Sequence, residues 1–368
     1  MSGKFTDRLI HQAGMARVPI SGTIELTPMC NFFCQMCYVR KSSEEVQAEG
    51  GLQPVEQWIS WAQQAKENGM LYLLITGGEP FTYPDFWVLY EKLTHMGFVI
   101  SINSNGSMLT DACLKKLSQM PPKRINITLY GASNETYEKL CGIKRGFEKI
   151  VEATNRLKDY NIAYKFNCSI TPLNRHELEQ MICVATEQQV PIDVATYMFP
   201  PVRRGREGTE FVRLDPKEAG ICSVESMRLK LSKENFKQYM KQHVAFEMPQ
   251  GISKEALCDE NGKSMGCRAG RCSFWLDWKG NLSACGMIAE PKYSLNEYSF
   301  SQAWKHIVDD TNKILCLAGC AGCKNRTICH ACISAAYCET GDVHGRPEYL
   351  CEMLRAEAEK CKEILSEL

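Results

Sequence analysis

The chain has 368 residues, 44% of them apolar, and its 43 basic and 43 acidic residues leave a formal net charge of zero. The length predicts one large domain or two. The charge balance gives no reason to expect a nucleic acid or a membrane surface as a partner. The sequence has no apolar run of 18 residues, and residues 1–20 lack the apolar core of a signal peptide. We therefore expect no membrane span and a cytoplasmic location.

Over the first 200 residues, segments rich in β-branched and aromatic residues alternate with amphipathic helical patterns. The predicted strands are Gly22–Leu26, Tyr72–Thr76, Val99–Asn103, Ile125–Tyr130, Tyr164–Ile170 and Ile192–Phe199; predicted helices are Pro54–Asn68, Asp85–Met96, Phe147–Leu157 and His176–Thr186. This alternation predicts an α/β fold with a parallel sheet and crossover helices. Periodicity alone allows either an open doubly wound sheet or an incomplete barrel.

The pattern changes after about residue 205. A helix-rich stretch, Pro216–Phe246, comes next, and a hairpin is predicted at Trp275–Cys285 with its turn at Lys279, Gly280 and Asn281. We expect four units along the chain. They are an N-terminal extension (1–20), the α/β domain (21–215), a helical bridging region (216–262) and a Cys-rich C-terminal domain (263–368).

The chain has 20 cysteines, most of them in short-spaced clusters. In a long chain without a secretion signal, clustered thiols indicate metal ligands more often than disulfides. Cys30, Cys34 and Cys37 follow the first predicted strand with C-x₃-C-x₂-C spacing. Three thiolates can hold a [4Fe–4S] cluster with one iron left open, whereas a structural zinc prefers four protein ligands. Three core cysteines, or a zinc site completed by a distant histidine, are the alternatives.

A second motif, ITGGEPFTYPD at residues 75–85, ends the second predicted strand. Gly77 and Gly78 allow the backbone to approach a ligand closely, and the Glu79 carboxylate can accept from an ammonium group. A simple turn is the alternative. Because parallel strands end at the same edge of a sheet, this motif and the three cysteines are expected to lie together.

The two motifs together resemble the radical S-adenosylmethionine (SAM) superfamily over about residues 21–200. The resemblance implies a partial (β/α)₆ TIM-like barrel and a [4Fe–4S] cluster on Cys30, Cys34 and Cys37 whose open iron chelates SAM. It also implies reductive cleavage of SAM to methionine and a 5′-deoxyadenosyl radical, which abstracts a hydrogen atom from the substrate. The SAM-binding residues that it implies are Gly77, Gly78, Glu79, Pro80, Asn105, Thr128, Asn167, Tyr197 and Met198.

The cysteines beyond residue 262 are denser. By spacing alone they allow zinc ribbons, disulfides or iron–sulfur clusters. Their order resembles the SPASM extension of radical SAM enzymes, with x₂ rather than the usual x₃ before Cys332. The resemblance implies two auxiliary [4Fe–4S] clusters. The first would be held by Cys267, Cys272, Cys285 and Cys332, and the second by Cys320, Cys323, Cys329 and Cys351. Cys338 is an alternative to Cys351.

Nine cysteines remain, and most of them are expected to be small core residues. They are Cys113, Cys141, Cys168, Cys183, Cys222, Cys258, Cys316, Cys338 and Cys361. Cys141 and Cys168 lie near strand ends, where a thiol could instead give a hydrogen atom to a substrate radical.

SPASM enzymes act mostly on peptides or proteins, so the resemblance implies an oxidative peptide maturase that forms a thioether or carbon–carbon crosslink. An anaerobic sulfatase maturase and a peptide epimerase are alternatives, and a non-enzymatic zinc or iron–sulfur scaffold is a remote one. Sulfatase maturases carry an acidic base where this chain has Gly286, although Asp277 or Asp259 could substitute.

The expected partners follow from the same resemblance. They are a peptide or protein substrate and a flavodoxin- or ferredoxin-type reductant. Because only about 20 residues precede the first strand, the peptide is expected to be captured either by a separate leader-binding protein or directly by the barrel mouth and residues 205–260. The basic turn Arg203–Arg206 follows the sixth predicted strand. It could bind carboxylates of the substrate, or be a solvated surface turn.

Overall fold

The computed structural model of the chain describes residues 2–201, 203, 212–247, 267–314, 320, 323–329 and 331–367. Its helices there are α1 (Ser2–Ala16), α2 (Ser43–Ala48), α3 (Val55–Glu67), α4 (Phe86–His95), α5 (Asp111–Gln119), α6 (Asn134–Cys141), α7 (Gly146–Asp159), α8 (Leu178–Glu187), α9 (Pro216–Lys230), α10 (Lys233–His243), α11 (Phe300–Lys313), α12 (Ile333–Thr340) and α13 (Glu348–Ser366). Its strands are β1 (Ser21–Glu25), β2 (Tyr72–Thr76), β3 (Val99–Ser104), β4 (Arg124–Thr128), β5 (Tyr164–Ser169), β6 (Ile192–Ala195), β7 (Ser273–Leu276), β8 (Asn281–Ser283) and β9 (Tyr293–Ser294).

The strands form a nine-stranded sheet in the order β6-β5-β4-β3-β2-β1-β7-β8-β9. From β1 to β6, each strand pairs in parallel with the next one along the chain. Helices cross between them, as parallel neighbours require. The predicted α/β fold with six parallel strands and crossover helices is therefore confirmed, and its form is the partial (β/α)₆ barrel.

Most predicted elements agree with the structure to within a few residues. Strand β2 has the predicted bounds, while β6 ends at Ala195 rather than Phe199. The sequence continues after Phe199 with two prolines, which cannot donate to a strand ladder. Helices α5 and α6 were not predicted, although Thr110 and Ser133 cap them by accepting from backbone N–H groups in the first turn. These two capping residues were the sequence signal that could have predicted the two helices.

Side chains alternate between two environments along each barrel strand. On β5, Tyr164, Phe166 and Cys168 are buried, whereas the residues between them are only half-buried. The Cys168 Sγ lies 3.5 Å from the Met181 Sδ of α8, so this set packs under the outer helices. The alternate set, which includes Asn167, faces the inside of the barrel.

The predicted hairpin is present as β7 and β8, which pair antiparallel. Its turn includes Gly280 with φ of 84°, where a Cβ would lie 2.3 Å from the Trp61 ring. A relationship that was not predicted is that β7 also pairs in parallel with β1. The hairpin therefore continues the barrel sheet beyond its first strand.

The helical region after the barrel packs against the end of the chain. Helix α9 runs along α13, and a Cβ at Gly220 would lie only 2.4 Å from the Met353 carbonyl oxygen. The four-part division of the chain stays a prediction. Within the described stretches, no helix has the length and the apolar character that crossing a membrane would require.

Candidate functional site

A cavity of about 420 Å³ lies at the carboxyl ends of the barrel strands. Its wall contains the last residue of five neighbouring strands, β2 to β6: Thr76, Ser104, Thr128, Ser169 and Ala195. This edge of a parallel barrel is where binding and catalytic groups collect, because loops of independent sequence meet there.

Cys30, Cys34 and Cys37 all line this cavity. Their loop is held to the end of α6, because the Phe33 N–H donates to the Cys141 carbonyl at 2.8 Å. Backbone N–H groups point at two of the sulfurs: Phe32 donates to Cys30 Sγ at 3.4 Å and Arg40 to Cys37 Sγ at 3.3 Å. Such donors favour a thiolate.

The thiol set suits a cluster better than a single ion. Burial raises the pKa of Cys30 to about 12, so a positive metal centre would be needed to hold it as thiolate. In the part of the chain that the structure describes, no three His, Cys, Asp or Glu side chains converge to hold one metal ion. In an iron–sulfur cluster each thiolate binds a different iron, so the three thiols spread around this cavity are compatible with such a cluster.

Gly77 and Gly78 also line the cavity, and their main role here is close backbone packing. A Cβ would lie 2.5 Å from the Thr27 oxygen at Gly77 and 2.3 Å from the Met29 oxygen at Gly78. The Gly78 N–H donates to the Thr27 carbonyl at 2.7 Å. The two glycines therefore lock the second motif against the base of the cysteine loop.

Glu79 is completely buried, and neither it nor Pro80 is among the residues that line the cavity. Its carboxylate accepts from the Asn105 N–H at 2.8 Å, the Ser104 hydroxyl at 3.0 Å and the Phe81 N–H at 3.3 Å. Burial raises the pKa of Glu79 to about 7. A direct contact between this carboxylate and the SAM ammonium stays a prediction, and the placement favours an indirect role through the Asn105 loop.

The other residues predicted to bind SAM lie on the cavity wall: Asn105, Thr128, Asn167, Tyr197 and Met198. Asn105 Nδ2 donates to Asn31 Oδ1 at 2.8 Å, on the cysteine loop. The Asn167 Oδ1 is buried and has no hydrogen-bond partner among the described residues. An unpaired buried acceptor at a cavity wall fits a ligand that supplies a donor.

Several residues on the wall were not predicted: Tyr38, Asn103, Tyr130 and Met287. Asn103 lies on β3, two positions before Asn105. Strand alternation puts the two side chains on the same face, so the sequence could have predicted that Asn103 lines the cavity. Met287 comes from the C-terminal domain, two residues after Cys285, and local sequence carries no signal for its place in the barrel mouth.

Cys141 and Cys168, the candidate hydrogen donors, do not line the cavity. Cys141 is fully buried at the end of α6, and its side chain hydrogen-bonds that of Cys34. Cys168 is buried beneath α8, on the outward set of β5 positions. These placements favour the core role for both.

The other cysteines expected in the core differ in how deeply they are buried. Cys113, Cys338 and Cys361 are buried, Cys222 is half-buried and Cys183 is exposed on α8. Cys258 and Cys316 lie outside the described residues. The core expectation does not hold for Cys183, because the helix turns that position toward solvent.

The first predicted auxiliary ligand set stays a prediction, and electrostatic interactions between some of its thiols support it. Burial raises the pKa of Cys332, and the neighbouring Cys267 and Cys285 thiols raise it further. Cys272 also interacts electrostatically with Cys267. Cys267 therefore interacts with both Cys272 and Cys332, although 65 residues separate Cys267 from Cys332 in the sequence.

The second predicted set also stays a prediction, and electrostatic interactions between some of its members support it. Burial raises the pKa of Cys329, with further contributions from Cys351 and Cys323. Arg346 donates to the Cys351 Sγ at 3.4 Å and also interacts with Cys320. Cys338 is in a different position, where its thiol donates to the Met287 carbonyl at 3.3 Å. The arrangement favours Cys351 over Cys338 as the fourth ligand.

Two expectations about charged residues need correction. Arg203, expected to bind substrate or face solvent, instead makes two 2.8 Å hydrogen bonds to the buried Glu25; Arg204 and Arg206 lie outside the described residues. Asp277, a possible base, accepts from the N–H groups of Lys279 and Asn281 and so shapes the hairpin turn. Asp259 lies outside the described residues.

Gly286 is also explained by packing. A Cβ at this residue would lie 2.5 Å from the Trp275 indole ring. The indole in turn donates to the Glu25 carboxylate at 3.3 Å. The Trp275 ring therefore occupies the space that an acidic side chain at position 286 would need.

The barrel, the three-cysteine loop and the glycine motif define a class of protein. Residues 24–183, which contain β2 to β5, the last two residues of β1 and all three cysteines, match the family model described as the Radical SAM superfamily. The chain carries a radical SAM domain and is an enzyme of that superfamily. Membership implies SAM and a [4Fe–4S] cluster as cofactors.

Known proteins resemble the chain to different extents. The AdoMet-dependent heme synthase of Methanosarcina barkeri is 23% identical over 329 residues, or 86% of this chain and 92% of that protein. The subtilosin biosynthesis protein AlbA of Bacillus subtilis is 27% identical over 165 residues, or 45% of this chain and 36% of AlbA.

Solved structures share the fold. SuiB from Streptococcus suis with bound S-adenosylmethionine has a TM-score of 0.67 at 16% identity, covering 91% of this chain and 77% of SuiB. The same protein bound to its precursor peptide SuiA also superimposes with a TM-score of 0.67. The likeness covers the C-terminal domain as well as the barrel, because the matched share of this chain far exceeds residues 24–183.

Proposed function

We propose that this enzyme oxidatively modifies a peptide substrate and forms a thioether or carbon–carbon crosslink. The observation that carries the proposal is that the three cysteines and the glycine motif meet at one cavity whose wall also includes Met287 of the C-terminal domain. When bound there, SAM and its cluster supply a 5′-deoxyadenosyl radical that removes one hydrogen atom from the substrate. The polar wall residues would hold SAM, with Asn105 positioned by Glu79.

Crosslink formation removes a second electron and a proton from the substrate. Eight of the eleven cysteines of the C-terminal domain would supply every ligand of two auxiliary clusters, which leaves no iron open to the substrate. The clusters that these two cysteine sets would hold would supply structural support and redox chemistry: the first could take up the electron and the second could pass it outward. The total would then be three [4Fe–4S] clusters, with the reductant and a separate leader-binding protein as partners.

The lining of the cavity supports a peptide. Its side chains are amides, hydroxyls, thiols, thioethers and apolar groups. Two arginines that contact the cavity wall, Arg203 and Arg213, are each paired with a glutamate, Glu25 and Glu339. An uncharged segment of a peptide could enter this cavity without leaving a buried charge unpaired.

A second candidate follows from the heme synthase, whose similarity covers nearly the whole chain. This chain would then act on a heme precursor. Heme carries carboxylate side chains, whose burial requires cationic partners. The pairing of Arg203 and Arg213 with glutamates favours the peptide. The packing of Trp275 against Gly286 likewise disfavours a sulfatase maturase that relies on an acid at that position.

The test is anaerobic incubation of the reconstituted enzyme with SAM, reductant and peptides encoded beside its gene, followed by mass spectrometry. We expect 5′-deoxyadenosine and a peptide lighter by two hydrogen atoms. A product of unchanged mass would indicate an epimerase. Consumption of a heme precursor, with the peptides unmodified, would establish the second candidate. Zinc without sulfide in the anaerobically purified protein would contradict the proposal that the protein is an iron–sulfur enzyme.

A further inference from the structure

A hydrogen-bond network connects the cavity wall to the C-terminal domain. Tyr197 lines the cavity just after β6, and its hydroxyl donates to Glu339 Oε1 of α12 at 2.9 Å. The Tyr197 ring also packs against Phe199 and Tyr349, with centroids 5.0 and 5.4 Å away. Glu339 and Tyr349, which lie outside the barrel, thus help to set the orientation of this phenol.

Glu339 is itself held in place. Arg213 donates to both of its oxygens, at 2.7 and 3.2 Å. The same guanidinium donates to the Met198 carbonyl at 3.3 Å and lies 4.2 Å from the Tyr349 ring centroid. A carboxylate paired with arginine offers only acceptor atoms, so Tyr197 must be the donor in its bond to Glu339. Burial, and then the Glu339 charge, raise the pKa of Tyr197 and keep it protonated.

A phenol has a single hydrogen, and here Glu339 takes it. The Tyr197 oxygen can therefore offer only lone pairs to any further partner. On the neighbouring strand β5, the buried Asn167 Oδ1 is a second acceptor, and it has no partner in the described part of the protein. Tyr197, just after β6, and Asn167, on β5, therefore provide two neighbouring acceptors. A ligand with N–H or O–H donors would satisfy their hydrogen-bonding capacity.

We infer that Glu339 is a positioning residue that fixes Tyr197 as a hydrogen-bond acceptor, and that the wall formed by Tyr197 and Asn167 binds N–H or O–H donors of a ligand in the cavity. The inference rests on the proposed function, because two ligands of that function carry such donors. One is SAM, through the amine and hydroxyls of its adenosine part. The other is the peptide, through its amide N–H groups.

The experiment compares Tyr197→Phe and Glu339→Gln with Tyr349→Phe as the matched control. Tyr349 loses a hydroxyl that donates to the Leu214 carbonyl, outside the cavity. In the anaerobically reconstituted protein, SAM affinity is measured by equilibrium dialysis, and kcat and KM are measured with the peptide. We expect Tyr197→Phe and Glu339→Gln each to weaken binding of the same ligand by about 3- to 10-fold while the iron content stays at the wild-type level. Tyr349→Phe should change neither binding nor iron content.

A double variant separates positioning from simple structural support. Since Glu339 acts through Tyr197, adding Glu339→Gln to Tyr197→Phe should weaken binding no further. Loss of SAM affinity alone identifies the adenosine donors, and a raised peptide KM alone identifies the peptide. Unchanged binding of both ligands, or additive losses in the double variant, overturns the inference. Failure of the wild-type protein to bind SAM would instead contradict the proposed function.

Discussion

The Asn105 N–H donates to the Glu79 carboxylate at 2.8 Å and joins the loop after β2 to the loop after β3. The same carboxylate accepts from Ser104 and Phe81, although it is fully buried. Glu79 therefore acts as the centre of a small network behind the cavity, and Asn105, which lines the cavity, is the part of the network that a ligand would meet.

Replacing Glu79 should affect stability and SAM binding together. Glu79→Ala leaves buried donors unpaired, which costs about 1–3 kcal/mol for each unsatisfied group. We expect a lower unfolding temperature, weaker SAM binding and unchanged iron content. Glu79→Gln keeps one acceptor oxygen and should lose less of both. A variant that loses SAM affinity at unchanged unfolding temperature would instead support direct contact with the ammonium.

The three cysteines of the barrel loop should account for one cluster only. The predicted ligand sets correspond to about 12 irons per chain. Changing Cys30, Cys34 and Cys37 together to Ala should leave about eight irons and abolish SAM cleavage, as measured by iron and sulfide analysis and by 5′-deoxyadenosine formation. Cleavage that survives the triple change would show that the open site lies elsewhere.

The auxiliary ligand sets can be tested with single changes. Cys332→Ala should remove about four irons and end product formation, while 5′-deoxyadenosine still appears. Cys351→Ala should remove the second auxiliary cluster in the same way. Iron content and electron paramagnetic resonance of the reduced protein provide the measurement.

Cys338→Ala is the control for these changes. Cys338 is buried and donates to the Met287 carbonyl rather than joining either set. Its replacement should preserve about 12 irons. If this variant loses a cluster and Cys351→Ala does not, the assignment of the fourth ligand must be exchanged.

A buried pair between α10 and α13 should make stability depend on pH. His243 Nε2 lies 3.3 Å from Glu357 Oε2, and His243 Nδ1 donates to the Tyr239 carbonyl at 2.9 Å. Burial lowers the pKa of His243, but the hydrogen bonds to Glu357 and Tyr239 outweigh it, so the pKa is raised above its usual 6.5. The stabilisation is therefore fully present below pH 6.5 and is lost as pH rises through the raised pKa.

His243→Gln should accordingly destabilise the protein most at about pH 6, by about 1.5–3 kcal/mol, and less at higher pH. Unfolding temperatures measured across this range provide the comparison. The control is His95→Gln, which removes an exposed histidine at the end of α4. A difference between wild type and His243→Gln that stays constant with pH would exclude the charged pair.

Local sequence determined the α/β class, the strand positions and the two motifs of the radical SAM domain. Strand β2 and the hairpin turn at Gly280 could be read directly, because alternation, turn residues and glycine conformations are properties of a few neighbouring residues. Cys30, Cys34 and Cys37 could be recognised for the same reason, since their spacing lies within a single loop.

Only the tertiary structure decided which side chains share the cavity and which stabilise it from behind. Glu79 looks like a ligand-binding residue in sequence, but the fold surrounds it with donors from two loops. Arg203 looks like a surface cation, but β1 brings Glu25 to it across 178 residues. Tyr197 and Glu339 are 142 residues apart, and their hydrogen bond exists only because α12 packs at the barrel mouth. Such partners depend on burial and on long-range strand and helix packing, which no local pattern encodes.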